Sequence, residues 1–413
     1  MEMGETLPLT GLRVLEFAYF VAGPLVGKLF ADFGAEVIII ESEAHLRTHA
    51  SSRQPGHGAL DLTSLNQGNM FNRYGTNKLS LKLDLNHPKG VELSKRLVAV
   101  SDIVLDNYAP HVMERWGLTY DVLSEIKSDI IVINMPTMGR GGIYRHHRAT
   151  SWNLLAMAGF NYISGTEENI PICPGVYSHP DVSCNPFHAM IALLSALYHR
   201  ELTGKGQHIE LSQFESTVCF TETAIFDFLV NGRTQERIGN RSDHAAPHGV
   251  YRCKGDDQWC AITVFSDDEW RALCNTMSRA DLITNRKFST LQARLRNVEE
   301  LDRIVEEWTC EKMAEEVMHS LQSAGVPAGK VQDVADLLER DPQLKEWGYW
   351  IHVDHPETGK SKGEGWGFEL LDSPQPRSRH APLLGEHTDY VLQEILGMSE
   401  EEVNQLIIDG VIR

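Results

Sequence analysis

The stretch DVSCNPFHAMIALLSALYHRELTGKGQHIELSQFES, residues 181–216, decides the fold of this chain. Residues 188–198 carry apolar side chains at the spacing of a buried helix, and Pro186 suits the first turn of that helix. TGKG at residues 203–206 predicts the end of the helix, because glycine accepts a positive φ, and HIELS then alternates as a strand does. An isolated acidic residue therefore precedes a helix, a glycine turn and a strand.

The acidic residue of this stretch, Asp181, lies about one turn upstream of the predicted helix. Backbone amides and the positive end of the helix dipole stabilise a carboxylate at such a position. The local sequence alone favours a helix cap, and a reactive carboxylate is the alternative interpretation. Motifs elsewhere in the chain favour the reactive carboxylate.

Length and charge restrict the class of protein. The chain has 413 residues, of which 42% are hydrophobic and 23% are charged, as in a globular protein of two or three domains. The net charge of −19 argues against a general binder of nucleic acids or membrane surfaces. A local basic cluster can still hold an anionic ligand.

Targeting signals and cysteine patterns are missing from the sequence. No apolar run reaches the roughly 20 residues of a membrane span, and MEMGETLPLT lacks the regions of a signal peptide. The seven cysteines form no CxxC pair, so neither a disulfide framework nor a metal site is indicated. We therefore expect a reduced, cytoplasmic protein without nucleic-acid or membrane partners.

The N-terminal half has the pattern of an open parallel α/β sheet of Rossmann type. LRVLEF (12–17) predicts a strand, LVGKLFADFG a helix and EVIIIE (36–41) a second strand, which together form a parallel βαβ unit. Residues 102–105 and 130–134 predict two further buried strands. Residues 217–230 predict one helix.

The predicted domain organisation has three segments. Residues 1–225 form the first part of a large α/β domain. Residues 226–330 form a smaller α/β domain, because strand-like pairs surround the KGDDQ turn and amphipathic helices follow. Residues 331–413 return to complete the large domain.

Six further segments, taken in order, resemble the family III CoA-transferases. These are LPLTGLRVLEFAYFVAGPLVGKLFADFGAEVIIIE, NKLSLKLDLNHPKG, SDIVLDNYAPHVMERWGLTYDVL, AGVPAGKV, DPQL and APLLGEHTDYVL. The resemblance covers nearly the whole chain and makes Asp181 the family's nucleophile. It implies a Rossmann-like large domain with a smaller α/β domain, in an interlocked dimer.

The resemblance also implies that coenzyme A thioesters bind across the large domain as substrates, with no permanently bound cofactor. The matched positions are Val21, Ala22, Leu83, Asp84, Leu85, Asn86, Asn107, Tyr108, Ala109, Arg115 and Arg148. Arginine suits this role because its planar fork binds phosphate. Taken without the family, Asn107 is equally a turn residue, Arg115 a surface charge, and Leu83 and Leu85 core. The chain departs from the family at Ser42 and Glu43, where two arginines are common. The nearest basic residues are His45 and Arg47.

The activity implied is transfer of CoA from an acyl-CoA donor to a carboxylic acid through an aspartyl-CoA thioester. The basic run at residues 140–152 is usually a solvated loop. Alternatively, Arg140, Arg145 and His146 bind a second carboxylate of the acceptor. With the loop at 239–249, the chain is most similar to benzylsuccinate CoA-transferase subunits. Succinyl-CoA and a benzylsuccinate-type acid are the expected substrates.

Two alternatives remain open. An α-methylacyl-CoA racemase has this fold but uses a histidine as acid/base, where this chain has Ala149, Thr150 and Ser151. A threonine hydroxyl is too weak a base for that proton transfer. The other alternative is a non-catalytic or half-active subunit, suggested by Asn185, where many relatives have glycine. The partner chain is accordingly an identical copy or a related subunit.

Overall fold

The computed structural model describes residues 6–43, 46, 53–55, 61–165, 171, 179–376 and 378–412. The chain divides into two compact units. The first unit comprises Met1–Phe160, Cys173–Thr234 and Gly348–Arg413, and the second comprises Asn161–Ile172 and Gln235–Trp347. Both boundaries lie later than the predicted ones at 225/226 and 330/331. The segment 161–172, expected in the large domain, clusters with the second unit.

A six-stranded parallel sheet forms the centre of the first unit. Its strands are β1 (Arg13–Phe17), β2 (Glu36–Glu41), β3 (Leu79–Lys82), β4 (Ile103–Asp106), β5 (Ile131–Asn134) and β6 (Gln207–Glu210). The spatial order is β3-β2-β1-β4-β5-β6, and every pair is parallel. This is the strand order of the doubly wound dinucleotide-binding fold. The predicted Rossmann-like sheet is confirmed.

Helices connect these strands and continue through the chain. In sequence order they are α1 (Ala22–Asp32), α2 (Asn69–Tyr74), α3 (Pro88–Ala99), α4 (Pro110–Trp116), α5 (Tyr120–Ile126), α6 (Ser151–Met157), α7 (Phe160–Ile163), α8 (Asn185–Thr203), α9 (Gln213–Val218), α10 (Glu222–Asn231), α11 (Asp267–Thr276), α12 (Leu291–Arg296), α13 (Val298–Thr309), α14 (Ala314–Ser323), α15 (Pro342–Glu346) and α16 (Glu400–Ile408). The single helix predicted over 217–230 is wrong, because a 3-10 turn at Cys219–Thr221 separates α9 from α10. Other short helical turns are Leu62–Ser64, Pro180–Cys184, Ala280–Leu282, Asp336–Arg340 and Tyr390–Ile395.

Alternate residues of β1, β2, β4 and β5 enter two hydrophobic clusters, one on each face of the sheet. Leu15 and Val104 pack on one face, whereas Val14 and Ile103 pack on the other. The second face is covered by α1 and by α8, whose Leu193 is fully buried. Burial on both faces explains why the strands are continuously apolar.

The glycine turn after α8 fixes where β6 begins. Gly204 adopts φ +68° and ends the helix, as the sequence predicts. A Cβ on Gly206 would lie 2.0 Å from the carbonyl oxygen of Ile130, so only glycine fits beside β5. Because α8 leads into the start of a parallel strand, its own N-terminus lies at the carboxyl edge of the sheet.

The second unit contains a three-stranded antiparallel sheet of β7 (His248–Arg252), β8 (Trp259–Thr263) and β9 (Ala328–Lys330). Its own core includes the fully buried Trp270 of α11. A hairpin of β10 (Trp350–His355) and β11 (Gly359–Glu364) belongs to the first unit. Among the described residues, no helix combines the length and apolar character needed to span a bilayer.

Candidate active site

Most of the residues proposed for the site follow the carboxyl ends of the sheet strands. Val21 and Ala22 follow β1, residues 83–86 follow β3, and residues 107–109 follow β4. The basic run of 140–148 follows β5, and Asp181 precedes α8. In open α/β sheets, ligands bind in the crevice at this edge, where the strand order reverses. Here that point lies between β1 and β4.

Asn107 joins the two loops at this crevice. Its side-chain Oδ1 accepts from the Tyr19 amide at 3.1 Å, and its Nδ2 donates to the Tyr19 carbonyl at 2.9 Å. A Cβ on Gly23 would lie 2.6 Å from Ala18 Cβ and 3.1 Å from Asn107 Cγ, so a glycine is needed for the close approach. The Tyr19 ring stacks on Tyr108 with centroids 5.1 Å apart. Asn107 therefore fixes the shape of the β1 turn.

Residues 83–86 have mainly structural contacts. Leu83 and Leu85 are buried in the hydrophobic core on one face of the sheet. The buried Asp84 accepts from the Asn86 amide at 2.9 Å and from its Nδ2 at 3.1 Å. Asn86 itself is exposed. The two leucines are core, as the alternative interpretation holds.

Two exposed arginines lie in this half of the unit. Arg148 is near Tyr19: burial raises the pKa of the Tyr19 phenol, and the Arg148 charge acts in the opposite direction. Arg115, at the end of α4, lies over the Trp116 ring at 5.8 Å. Both guanidinium groups are accessible to an anionic ligand.

Arg140 is already engaged with other side chains of the protein. Its guanidinium lies 3.3 Å from Glu114 and 3.4 Å from Glu210, and it donates to Asn134 Oδ1 at 3.1 Å. The Asn134 amide in turn donates to Asp106, whose pKa burial raises to about 7. Arg140 therefore links residues at the carboxyl ends of β5 and β6 with Glu114 of α4. Arg145 and His146 contact each other at 2.9 Å and are exposed.

Asp181 lies on the π-helical turn Pro180–Cys184, directly before α8. The Ser151 hydroxyl, at the start of α6, donates to its Oδ2. Burial raises the pKa of Asp181, and the polar side chains of Ser151 and Asn185 act against that shift. In the described part of the chain its carboxylate caps no helix, so the local interpretation is not the one the structure supports.

Behind Asp181 lies a set of buried polar side chains that the sequence did not reveal. Asn185 Nδ2 donates to Gln213 Oε1 at 3.2 Å, and the Ser216 hydroxyl donates to Asn185 Oδ1. Gln213 Nε2 donates to the Met135 carbonyl at 2.6 Å. The available signal was QFES, which sets Gln213 and Ser216 three residues apart on one face of α9. Asn185 is thus part of the Asp181 environment and does not by itself indicate a disabled site.

After β2 the chain departs from the family pattern at Ser42 and Glu43, and the described residues include only part of this segment. Glu43 pairs with Lys82 at 3.0 Å, and Ser42 is buried. His45 and Arg47, the nearest basic residues in the sequence, lie outside the described residues. The loop at 239–249 belongs to the second unit, where Ala245, Ala246 and Pro247 are buried.

Comparisons with known proteins agree on one family. The family description "CoA-transferase family III" matches residues 9–388. The chain is 30% identical over 403 residues to the succinyl-CoA–L-malate CoA-transferase beta subunit of Chloroflexus aurantiacus, covering 97% of both chains. It is 31% identical to the succinyl-CoA–D-citramalate CoA-transferase of the same organism, covering 98% of both. The crystal structure of a CAIB/BAIF family protein from Brucella suis has a TM-score of 0.83 at 28% identity, covering 95% of this chain and 100% of that one. This chain belongs to the family III CoA-transferases.

Proposed function

We propose that this enzyme moves CoA from succinyl-CoA to a 2-substituted succinate, with Asp181 as the nucleophile. The observation that carries the proposal is the environment of Asp181. Among the described residues, the side chains that act on this partly buried carboxylate at the carboxyl edge of the sheet are the neutral Ser151 and Asn185, and no cation is paired with it. Such a carboxylate keeps its charge available for attack on an electrophile.

The chemistry is a series of acyl transfers in which each bond formed balances one broken. The Asp181 carboxylate attacks the thioester carbonyl of the donor, and the CoA thiolate leaves as the C–S bond breaks, which gives a mixed anhydride of Asp181 and the donor acid. The thiolate attacks the aspartyl carbonyl, which releases the donor acid and leaves an aspartyl-CoA thioester. The acceptor carboxylate displaces CoA in the same way, and the returning thiolate releases Asp181 and the new thioester. No net proton transfer is required, so the enzyme contributes positioning and exclusion of water.

The acceptor is proposed from the basic run and from the named relatives. Malate and citramalate are succinates substituted at C2, as is benzylsuccinate, the acceptor expected from the resemblance. Arg145 and His146 are exposed, whereas Arg140 is matched by Glu114 and Glu210. The proposal for the acceptor's second carboxylate therefore rests on Arg145 and His146.

A panel of acids tested with succinyl-CoA should give the highest kcat/KM for 2-substituted succinates. Faster reaction of acetate, formate or oxalate would refute the substrate proposal.

Coenzyme A is proposed to bind along the β1–β4 crevice, with its phosphates near Arg148 and Arg115. Both guanidinium groups are exposed and lie beside the loops that follow these strands. Arg148→Ala should weaken CoA binding by about 1.5 kcal/mol, roughly tenfold, because one charge-assisted hydrogen bond is lost. Isothermal titration of CoA measures this, with Arg145→Ala as the matched control. Equal affinity of all three proteins would place the phosphates elsewhere.

A second chain is proposed to complete the protein. On α8, the residues Phe187, Ile191, Leu194, Tyr198 and Leu202 are 45–67% exposed and form one stripe. Helix α10 is apolar yet has no buried residue. Monomers seldom expose so large an apolar patch. The partner is an identical copy or a related subunit, since one relative is a beta subunit. Light scattering of the purified chain distinguishes a dimer from a monomer that needs another subunit.

Two other roles, those of a racemase and of a half-active subunit, require different properties of Asp181 and its neighbours. In a racemase, the group opposite Asp181 would be an acid/base, but here that neighbour is Ser151, a weak base that donates to the carboxylate. A half-active subunit would have an unreactive Asp181.

The test of the proposal is mass spectrometry of the intact chain after mixing with succinyl-CoA, followed by peptide mapping. A CoA adduct on the peptide with Asp181 is expected. An unmodified chain that is active only with a related subunit would identify the half-active form.

A further inference from the structure

The Ser151 hydroxyl contacts one of the two oxygens of the Asp181 carboxylate. Ser151 is 9% exposed, and its hydroxyl donates to Asp181 Oδ2. Among the described residues, this hydroxyl has no second hydrogen-bond partner. The two oxygens of the carboxylate are therefore not equivalent. Oδ2 accepts from the serine, and the attack on a substrate is left to Oδ1.

Ser151 is the first residue of α6, and the start of this helix is fixed by its neighbours. The Thr150 amide donates to Asn153 Oδ1 at 2.9 Å, and the Thr150 hydroxyl donates to the same atom at 3.1 Å. Leu154 is fully buried, and α6 packs against α9 and against the turn that carries Asp181. A donor held in this way does not need to reorganise when charge develops beside it.

The charge on Oδ2 changes during the proposed reaction. Attack by Oδ1 on the donor breaks the C–S bond of the thioester and leaves Oδ2 as the neutral carbonyl oxygen of the mixed anhydride. When the CoA thiolate attacks the aspartyl carbon, a new C–S bond forms and an electron pair moves onto Oδ2. Collapse of this tetrahedral species restores the carbonyl and expels the donor acid together with Oδ1. Attack by the acceptor on the aspartyl-CoA thioester charges Oδ2 in the same way, and the thiolate leaves.

A hydroxyl in contact with Oδ2 assists these attacks on the aspartyl carbonyl. The anhydride and the thioester carry no proton at Asp181, so Oδ2 can only accept and the Ser151 hydroxyl must donate. A hydrogen bond to a charged oxygen is stronger than one to a neutral carbonyl, and the difference lowers the barrier. We propose that Ser151 is a catalytic residue, the oxyanion donor for the formation and the consumption of the aspartyl-CoA thioester. This inference rests on the role of Asp181 in the proposed function.

The other polar side chains on this turn and at the start of α8 have hydrogen-bond partners of their own. The Ser183 hydroxyl donates to the His179 carbonyl at 2.6 Å. Asn185 Nδ2 donates to Gln213 Oε1 at 3.2 Å. Ser151 is therefore the side chain that is placed to donate to Oδ2.

The test follows a reaction that occurs only at the aspartyl carbonyl. The protein, with any related subunit that it requires, is mixed with succinyl-CoA alone and freed of small molecules, which leaves the CoA adduct on Asp181. Hydroxylamine then attacks the aspartyl carbon through its nitrogen, the C–S bond breaks, and CoA leaves as the thiol with an aspartyl hydroxamate on the chain. Mass spectrometry follows the loss of the adduct. In Ser151→Ala this reaction should be roughly 10- to 100-fold slower, the loss expected for one hydrogen bond to a charged group.

Hydroxylamine separates chemistry from binding because it is small and uncharged and needs no substrate-binding residue. The matched control is Ser183→Ala, which removes a hydroxyl two residues from Asp181 that donates to a backbone carbonyl. Its adduct should react within about twofold of the parent rate. Ser151→Thr retains a hydroxyl and should recover most of the rate. If Ser151→Ala reacts as fast as Ser183→Ala, or if Ser151→Thr is as slow as Ser151→Ala, the oxyanion role is wrong.

The rate at which the CoA adduct forms distinguishes this inference from the proposed function. Absence of an adduct on Asp181 in the parent would overturn the nucleophile assignment. Slower formation in Ser151→Ala, with the KM for succinyl-CoA unchanged, would support the oxyanion role, because the thiolate attacks the same carbonyl. Equal rates of adduct formation and of hydroxylamine reaction in the parent and in Ser151→Ala would overturn the role of Ser151 while leaving Asp181 as the nucleophile.

Discussion

Two carboxylates of the first unit are held in opposite ways. Glu16 on β1 is 1% exposed, and Lys78 Nζ donates to its two oxygens at 2.8 and 3.0 Å. Burial raises the pKa of Glu16 to about 7, and Lys78 acts against that shift. Asp181 is also desolvated, but its neighbours are the neutral Ser151 and Asn185. Glu16 is paired with a cation, whereas Asp181 has none among the residues that the structure describes.

The difference separates a structural acid from the proposed nucleophile. A Cβ on Gly27 would lie 1.8 Å from Glu16 Oε2, so no substrate atom can approach that carboxylate. The Lys78 ammonium also donates to the Pro24 carbonyl at 2.7 Å, which closes the ion pair within the protein. Asp181 remains partly exposed at the sheet edge. A carboxylate that attacks a thioester needs access and a charge without a paired cation, and of these two carboxylates Asp181 has both among the residues that the structure describes.

The largest expected effect is on activity. Asp181→Asn keeps the size of the side chain and its polar neighbours but removes the nucleophile. CoA transfer should fall by roughly three orders of magnitude or more, because the covalent path is lost. Initial rates with succinyl-CoA measure this. Glu16→Gln, which also neutralises a buried carboxylate of this unit, is the comparison and should remain active. Retention of more than a tenth of the activity in Asp181→Asn would contradict the proposed difference in role between Asp181 and Glu16.

The second expected effect is on stability. Lys78→Met leaves Glu16 as an uncompensated buried charge, so unfolding free energy should fall by about 3–5 kcal/mol. Urea denaturation at neutral pH measures the change. Combining Lys78→Met with Glu16→Gln removes both charges and should restore a large part of the loss. A Lys78→Met protein as stable as the parent would mean that the pair is not the structural element described here.

The third expected effect concerns the hydroxyl at Asp181. Ser151→Ala removes a hydrogen bond to a charged group, at a cost of about 1.5–3 kcal/mol. We expect kcat/KM to fall roughly 10- to 100-fold with little change in melting temperature. Ser151→Thr retains the hydroxyl and should recover most of the activity. Equal losses in the alanine and threonine variants would point to packing at the start of α6 as the cause.

The smallest effect is a gain of stability in Asp181→Asn. Burial raises the folded-state pKa of Asp181 above its ordinary value of 3.8, so its contribution to stability is greatest at acidic pH. That contribution is lost as pH rises through the folded-state pKa. At neutral pH the variant should therefore be more stable than the parent, by less than Lys78→Met loses, and the advantage should disappear towards pH 3.8. Thermal melts over this pH range test the sign. A variant that is less stable at neutral pH would show that the polar side chains beside Asp181 outweigh desolvation.

The fold was largely predictable because hydrophobic pattern and glycine positions are local properties. EVIIIE and the helix before Gly204 appear where the sequence placed them. The break between α9 and α10 was not predictable in the same way. The residues between α9 and α10 include no glycine or proline, so nothing local marks α10 as a separate element. Its exposed residues also show that sequence hydrophobicity alone does not indicate burial within one chain.

The candidate site was only partly predictable. Asp181 was identified from the order of motifs, but its partner Ser151 is 30 residues away, and no spacing rule connects the two. Arg140 was grouped with Arg145 by sequence, yet it pairs with Glu114 and Glu210 from other elements. Charge patterns show that a cation exists and not whether another residue already neutralises it.

The sequence by itself determined the parallel strands, the glycine turn at Gly204 and the place of Asp181 before a helix, since each depends on neighbouring residues. Only the tertiary structure decided what the carboxylate contacts. The Asn185 amide presents its NH₂ group to Gln213 and its oxygen to Ser216, and this orientation depends on the Met135 carbonyl, which accepts from Gln213. Hydrogen-bond direction depends on distances and angles between such groups, and these exist only once the sheet and its helices have packed.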